Sequence, residues 1–222
     1  MTVGSTPADS REMIAVHDMF RREFAVFPSL IENVTPGDTK HATVVTEHLA
    51  FVTRLLHAHH NAEDALLWPK LEERAPEDVA PLLASLRKDH SRIDERTAVV
   101  SAKAAAWRSA VNSRGTEDLL DALGELTPLL HEHLSDEEAG ALSLIDIHLS
   151  AAEWAEVGRH GLTELPPDSH VLLFGMLLYN IDAELYELVR GTVPPEIFEA
   201  ASVAGPQAYA RQRLLLRGTA RP

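Results

Sequence analysis

The stretch HAHHNAEDALLWP, residues 57–69, places three histidines and two acids in eight positions ahead of an apolar run and a proline. Its reading decides the fold. Val45, Leu49, Val52, Leu55, His59, Glu63, Leu66 or Leu67, and Leu71 recur at helical spacing, so His59 and Glu63 interrupt an otherwise apolar stripe. That stripe predicts one long helix from about Thr39 to Arg74, with Pro69 as the candidate kink. A buried stripe carrying an imidazole and a carboxylate one turn apart raises the question of what else shares its level.

Outward from this helix, proline and glycine divide the chain into further helical segments, with almost no alternation of the strand type. A first helix opens after Pro7, with Asp9 or Ser10 as its cap. It carries Ile14, His17, Phe20 or Arg21, and Phe24, is disturbed at Pro28 and stops at TPGD, residues 35–38. A third follows APED (75–78), aligns Leu83, Leu86, His90, Ile93 and Val100, and ends near NSRG (112–115). The fourth starts near Thr116 and carries Leu119, Leu123, Leu126, Leu130, His133 and Glu137, with Pro128 bending or splitting it. The fold class is therefore all-α: an up-down-up-down four-helix bundle over residues 1–150, with residues 151–222 as a helical C-terminal extension packed on it. In that extension, 153–169 reads as a short helix and a loop, 170–189 as an apolar packing segment, and 205–222 as a short helix with a frayed tail.

A bundle lets the heights of the polar residues be compared at about 1.5 Å per residue. From the first turn near residue 36, His17 lies 19 positions back and His59 and Glu63 lie 23 and 27 forward, which places them within ~6–12 Å of one height. From the turn near 76, Glu63 and His90 are 13 and 14 positions away; from the turn near 114, His90 is 24 back and His133 and Glu137 are 19 and 23 forward. All four helices deliver polar residues to one layer. His59 with Glu63 and His133 with Glu137 are each four apart and share a helix face. Unpaired buried carboxylates are costly, and a cation between them is the usual remedy. Four imidazoles and two carboxylates suit iron or another borderline transition metal rather than calcium or magnesium, and two carboxylates can bridge a metal pair. His57, His60 and His131 read as neighbours of the site or surface residues, Arg21 as an exposed cation and Asp89 as a surface acid.

Composition narrows the alternatives. With no cysteine among 222 residues, thiolate sites, iron–sulfur clusters and disulfides are excluded. A formal charge of −14 without a Lys/Arg cluster argues against nucleic acid as a partner. No stretch is apolar enough for a membrane span and the amino end does not resemble a signal peptide, so a soluble cytoplasmic protein is expected. No nucleotide-binding fingerprint is visible, so electrons would come from a separate donor.

His17 with Asp18, HHNAED followed by LLWPKL, DHSRI around His90, and HEHLSDEE around His133 and Glu137 resemble the hemerythrin-like family with its HHE cation-binding domain, over about residues 10–148. The ordered pattern His, HxxxE, His, HxxxE is what carries the resemblance. It implies a non-haem, carboxylate-bridged pair of iron ions, with His17 and His59 on one, His90 and His133 on the other, and Glu63 and Glu137 between them. It also implies a small oxidant as partner: dioxygen, hydrogen peroxide or nitric oxide, met with peroxidase-like, catalase-like or nitric-oxide-processing chemistry. One departure stands out. Oxygen-carrying members have a second histidine one turn from the helix-three ligand, where this chain has Leu86 and Asp94. The position is then left to water, Asp94, His57, His131 or a tyrosine such as Tyr179 or Tyr186, and redox chemistry is expected over reversible oxygen carriage. The alternatives are an iron- or oxygen-responsive sensor without turnover, in which residues 151–222 respond, and iron storage in a cage.

Overall fold

The structure is a computed structural model that describes residues 6–193 and 195–218. The described residues form helices and no strand, with one isolated bridge between Pro7 and Ser150. In chain order the helices are α1 (Glu12–Glu32), α2 (Thr39–Ala62), α3 (Trp68–Arg74), α4 (Ala80–Ala110), α5 (Ser113–Gly140), α6 (Leu142–His148), α7 (Ala151–Thr163), α8 (His170–Leu178), α9 (Ala183–Thr192) and α10 (Pro195–Leu216).

The long helices α1, α2, α4 and α5 touch in a ring, α1 on α2, α2 on α4, α4 on α5 and α5 on α1. Local chemistry sets their ends. The Asp38 side chain accepts from the His41 amide to start α2, and Asn112 accepts from Gly115 to start α5, three residues before the start expected from Thr116. Val111, at φ 43°, supplies the left-handed residue that ends α4. Pro28 is exposed and leaves α1 unbroken, and α5 runs through Pro128. The expected irregularity at Pro69 lies one turn earlier instead, as a π-helical turn over Glu63–Leu67 that separates α2 from α3. Pro69 has no N–H for the carbonyl of Ala65 four residues back, and the widened turn sits where that bond is missing.

Within the ring the core falls into two apolar parts with a polar layer between them, and a third, smaller cluster joins Ala15 of α1 to Val189 and Phe198 of the C-terminal helices. On the first side are Met19, Phe20, Phe24, Ala58, Ile93, Leu130 and Leu134; on the other, Met13, Ala62, Leu67, Trp68, Leu86 and Ala141. On every long helix the change from one part to the other happens at the histidines and glutamates singled out above.

Residues after 150 are helical and pack on the ring, α7 and α10 against α2, α8 and α9 against α1. A Ser150–Glu153 capping box starts α7. The apolar segment from 170 breaks into two helices near Asn180, whose φ is 55°. The last helix begins at Pro195, ten residues before the expected start. Tyr209 of α10 donates from its hydroxyl to Glu23 of α1, and His48 of α2 donates from Nε2 to the same carboxylate at 3.0 Å. All three are buried, and burial together with the Glu23 charge holds the Tyr209 phenol above its usual range. Between α8 and α10 the backbones meet at Gly175 and Gly205, where a Cβ on Gly175 would lie 2.0 Å from the Gly205 carbonyl oxygen. Gly175→Ala is therefore expected to force α8 and α10 apart and cost ~1–3 kcal/mol in thermal unfolding, the usual range for overpacking.

Candidate metal centre

The polar layer resolves into two clusters whose potential ligand atoms all lie within 4.8 Å of one another: His17, His59, Glu63 and Glu137 in one, His60, His90 and His133 in the other. The six residues singled out by spacing are all in the layer, and His60 joins them. Of the two readings given for His60, neighbour of the site or surface residue, its burial excludes the second. It is buried, stacked on His90 with ring centroids 4.0 Å apart and planes 9° from parallel, and edge-on to His133 at 5.0 Å. Its ring thus stands in the same group of potential ligands as His90 and His133.

Helical geometry accounts for this arrangement. At ~100° per residue, Glu63 lies ~40° from His59 and ~60° from His60, so the carboxylate projects between two imidazoles that diverge to either side. The distances agree. Glu63 Oε1 is 3.1 Å from His59 Nε2, while its Oε2 is 3.4 Å from His90 Nε2. Glu137 reaches two histidines with a single oxygen, Oε2 lying 3.7 Å from His17 Nε2 and 3.6 Å from His133 Nε2. Each glutamate thus faces one histidine of each cluster.

The layer has donors for a cation and little else to satisfy them. All four carboxylate oxygens of Glu63 and Glu137 are buried without a hydrogen-bond partner, as are both ring nitrogens of His60 and His133 and Nε2 of His90. Such orphaned groups are rare in folded proteins and each asks for an explanation. His17 Nδ1 donates to Glu138 at 2.9 Å and His90 Nδ1 to Asp64 at 3.0 Å; a carboxylate only accepts, so the protons are on Nδ1 and the Nε2 lone pairs face the layer. His17 Nε2 then lies 3.2 Å from His59 Nε2. Ring nitrogens and carboxyl oxygens gathered at these distances fit a metal ion.

Electrostatics point the same way. Burial, and then the neighbouring Glu137, hold the Glu63 carboxyl well above its usual range, and burial raises Glu137. Burial and the surrounding histidines hold His59 and His60 well below theirs and bring His133 down to about 3. His59, His60 and His133 are thus kept neutral and available to a metal. Burial opposes the charge on Glu138, but hydrogen bonds from His17 and Arg21 outweigh it and bring that carboxyl down to about 2.

Other candidates lie elsewhere. The exposed His57 pairs with the equally exposed Asp94 at 3.2 Å, outside both clusters, and His131 belongs to neither. Tyr179 packs on Tyr209 and Tyr186 on Phe198, within the C-terminal helices. Asp89 pairs with Arg92. Arg21 is not a free surface cation: it is only 24% exposed and forks onto Glu138 at 2.7 and 3.1 Å. Spacing missed Asp64 and Glu138, although each directly follows a layer glutamate, a signal visible in HHNAED and SDEE.

Comparison with curated proteins and with solved structures returns no match. The family profile described as the hemerythrin HHE cation binding domain matches residues 9–145, a span that contains every residue of both clusters. The chain belongs to the hemerythrin HHE cation-binding family.

Proposed function

We propose that the chain is a non-haem di-iron protein that binds and reductively processes a small oxidant, dioxygen, hydrogen peroxide or nitric oxide, drawing electrons from a separate donor. The ring of α1, α2, α4 and α5 is read as an up-down-up-down bundle, with residues 1–150 holding the metal and 151–222 as an extension. The observation that carries the reading is the reach of Glu63 and Glu137, each to one histidine of each cluster. His17 and His59 would hold one ion, His60, His90 and His133 the other, and both glutamates would lie between. Iron bound there supplies redox electrons and an open coordination position.

The protein residues do the rest. With three imidazoles on the His90 side, the side with fewer protein donors is that of His17 and His59. His59 is also the most exposed of the seven, at 15% of its side chain against 3% or less for the others. That is the side we assign to an entering diatomic or peroxide ligand. Phe20 packs on His59 and Trp68 on His90, with centroids 5.6 and 6.1 Å apart, and both aromatic side chains are buried, which keeps bulk water from the layer.

Elemental analysis of protein produced with iron and purified without chelators is expected to find about two irons per chain, the stoichiometry of a bridged pair. Anaerobic ferrous protein mixed with hydrogen peroxide, dioxygen or nitric oxide should then change its absorption with at least one of them. One ion or none per chain, or ferrous protein inert to all three, overturns the reading.

A sensor reading has its own support in the Tyr209–Glu23–His48 contact, which ties α10 to the two helices that carry His17 and His59. It requires metal removal to change hydrogen exchange in residues 195–218. Unchanged exchange there rules it out.

A further inference from the structure

Each layer glutamate is followed by a second acid that enters neither cluster. The second acids turn outward and reach histidines on other helices: Asp64, just past α2, accepts from Nδ1 of His90 on α4, and Glu138 on α5 accepts from Nδ1 of His17 on α1. One histidine of each cluster is backed in this way. Nδ1 of His133, and both nitrogens of His60, have no such partner.

The two backing carboxylates are held differently. Arg21 grips both oxygens of Glu138 and also reaches Asp18 at 3.3 Å, so the Glu138 charge is shared and its position locked. Asp64 has a side chain 42% exposed and, among the described residues, no arginine or lysine paired with it. Its charge is unshared, and its hold on His90 is a single hydrogen bond open to water.

We propose that Asp64 and Glu138 are positioning residues, one for each metal position, that fix the tautomer and ring orientation of His90 and His17. We further infer that Arg21 makes the pair unequal by clamping only the His17 side. The inference rests on the metal-holding reading above. A carboxylate behind a ligating histidine sets which nitrogen carries the proton and makes the other a better donor, and its loss typically lowers metal affinity ~10–100-fold. Consecutive acids divide the work because neighbouring side chains on a helix diverge by ~100°: the first faces the layer and the second a neighbouring helix.

The test uses the full chain, with cobalt(II) as a redox-silent probe of both positions and nitrogen NMR of the histidines in metal-free protein as an independent readout of tautomer. Asp64→Ala is expected to weaken cobalt at one position ~10–100-fold and Glu138→Ala at the other. In the metal-free protein each should release its own histidine, His90 or His17, from the Nδ1–H tautomer. Asp64→Glu and Glu138→Asp should restore much of both effects, and Arg21→Gln should weaken only the position that Glu138→Ala weakens, and by less. Far-ultraviolet circular dichroism checks that each variant is folded. Unchanged tautomers and affinities in the two alanine variants overturn the inference. Tautomers that respond in a protein taking up no cobalt overturn the metal-holding reading, and the role at a metal with it, while leaving the hydrogen bonds assigned.

Discussion

Glu63→Ala is expected to reduce bound metal from about two ions per chain to one or none, the bridging role being the reason, while leaving a folded protein. Glu63 faces His59 with one oxygen and His90 with the other, at 3.1 and 3.4 Å, so its loss removes a donor from both clusters at once. The fold tolerates the change because the metal-free carboxyl is a burden. Both oxygens are buried without a hydrogen bond, and an unsatisfied buried polar group costs ~1–3 kcal/mol. Removing it offsets much of the cavity that alanine leaves. Elemental analysis gives the stoichiometry and thermal unfolding in chelator gives the stability. Full occupancy in Glu63→Ala would show that the carboxylate is not shared, whatever the iron content of the natural chain.

Metal loading is expected to raise the thermal midpoint, with the gap between loaded and chelated protein closing as pH falls, because the Glu63 and Glu137 carboxyls, raised in the metal-free fold, must ionise to hold a cation. An ion at a thousandfold excess over its Kd stabilises by ~4 kcal/mol. At ~2–4 °C per kcal/mol for a chain of this length, one ion is worth roughly 8–16 °C. The pH dependence follows from the layer. His59, His60 and His133 have lowered folded-state pKa values, with His133 near 3, so as pH falls below about 6.5 the unfolded chain takes up protons first and stability is lost down towards pH 3. Glu63 and Glu137 have raised values, so what they contribute is present below the ordinary carboxyl pKa and lost as pH rises through their folded values. The metal-free layer is thus penalised from both sides. A bound cation uses the neutral imidazoles that the layer already favours and the ionised carboxylates that it disfavours without metal, so loading releases carboxyl protons and tightens with pH. Proton release is measurable with an indicator dye in weak buffer, and a gap that stays flat from pH 5 to 8 would contradict this account.

What could be read along the chain was height and face within one helix. Apolar repeats of 3.6 residues located the long helices, and counting from the turns brought His17, His59, Glu63, His90, His133 and Glu137 to one level, because the rise per residue of a helix is nearly constant. His60 was also within reach. A carboxylate ~40° from one imidazole and ~60° from the next lies between them, whereas His57, two residues before His59, falls ~160° away and faces solvent. Judging the stripe by i and i+4 spacing alone hid this.

The tertiary structure decided whatever depends on the rotation and approach of one helix against another, a matter of a few ångströms that no single helix encodes. It sorted the histidines into two clusters, chose His17 and His90 as the ones backed by Glu138 and Asp64, and drew Arg21 from the surface onto Glu138. It also laid α10 on α1 and α2 through Tyr209, Glu23 and His48, and α8 on α10 at Gly175 and Gly205. Those partners are more than 100 residues apart in three of these contacts, and only the packing of the apolar faces on either side of the polar layer brings them together.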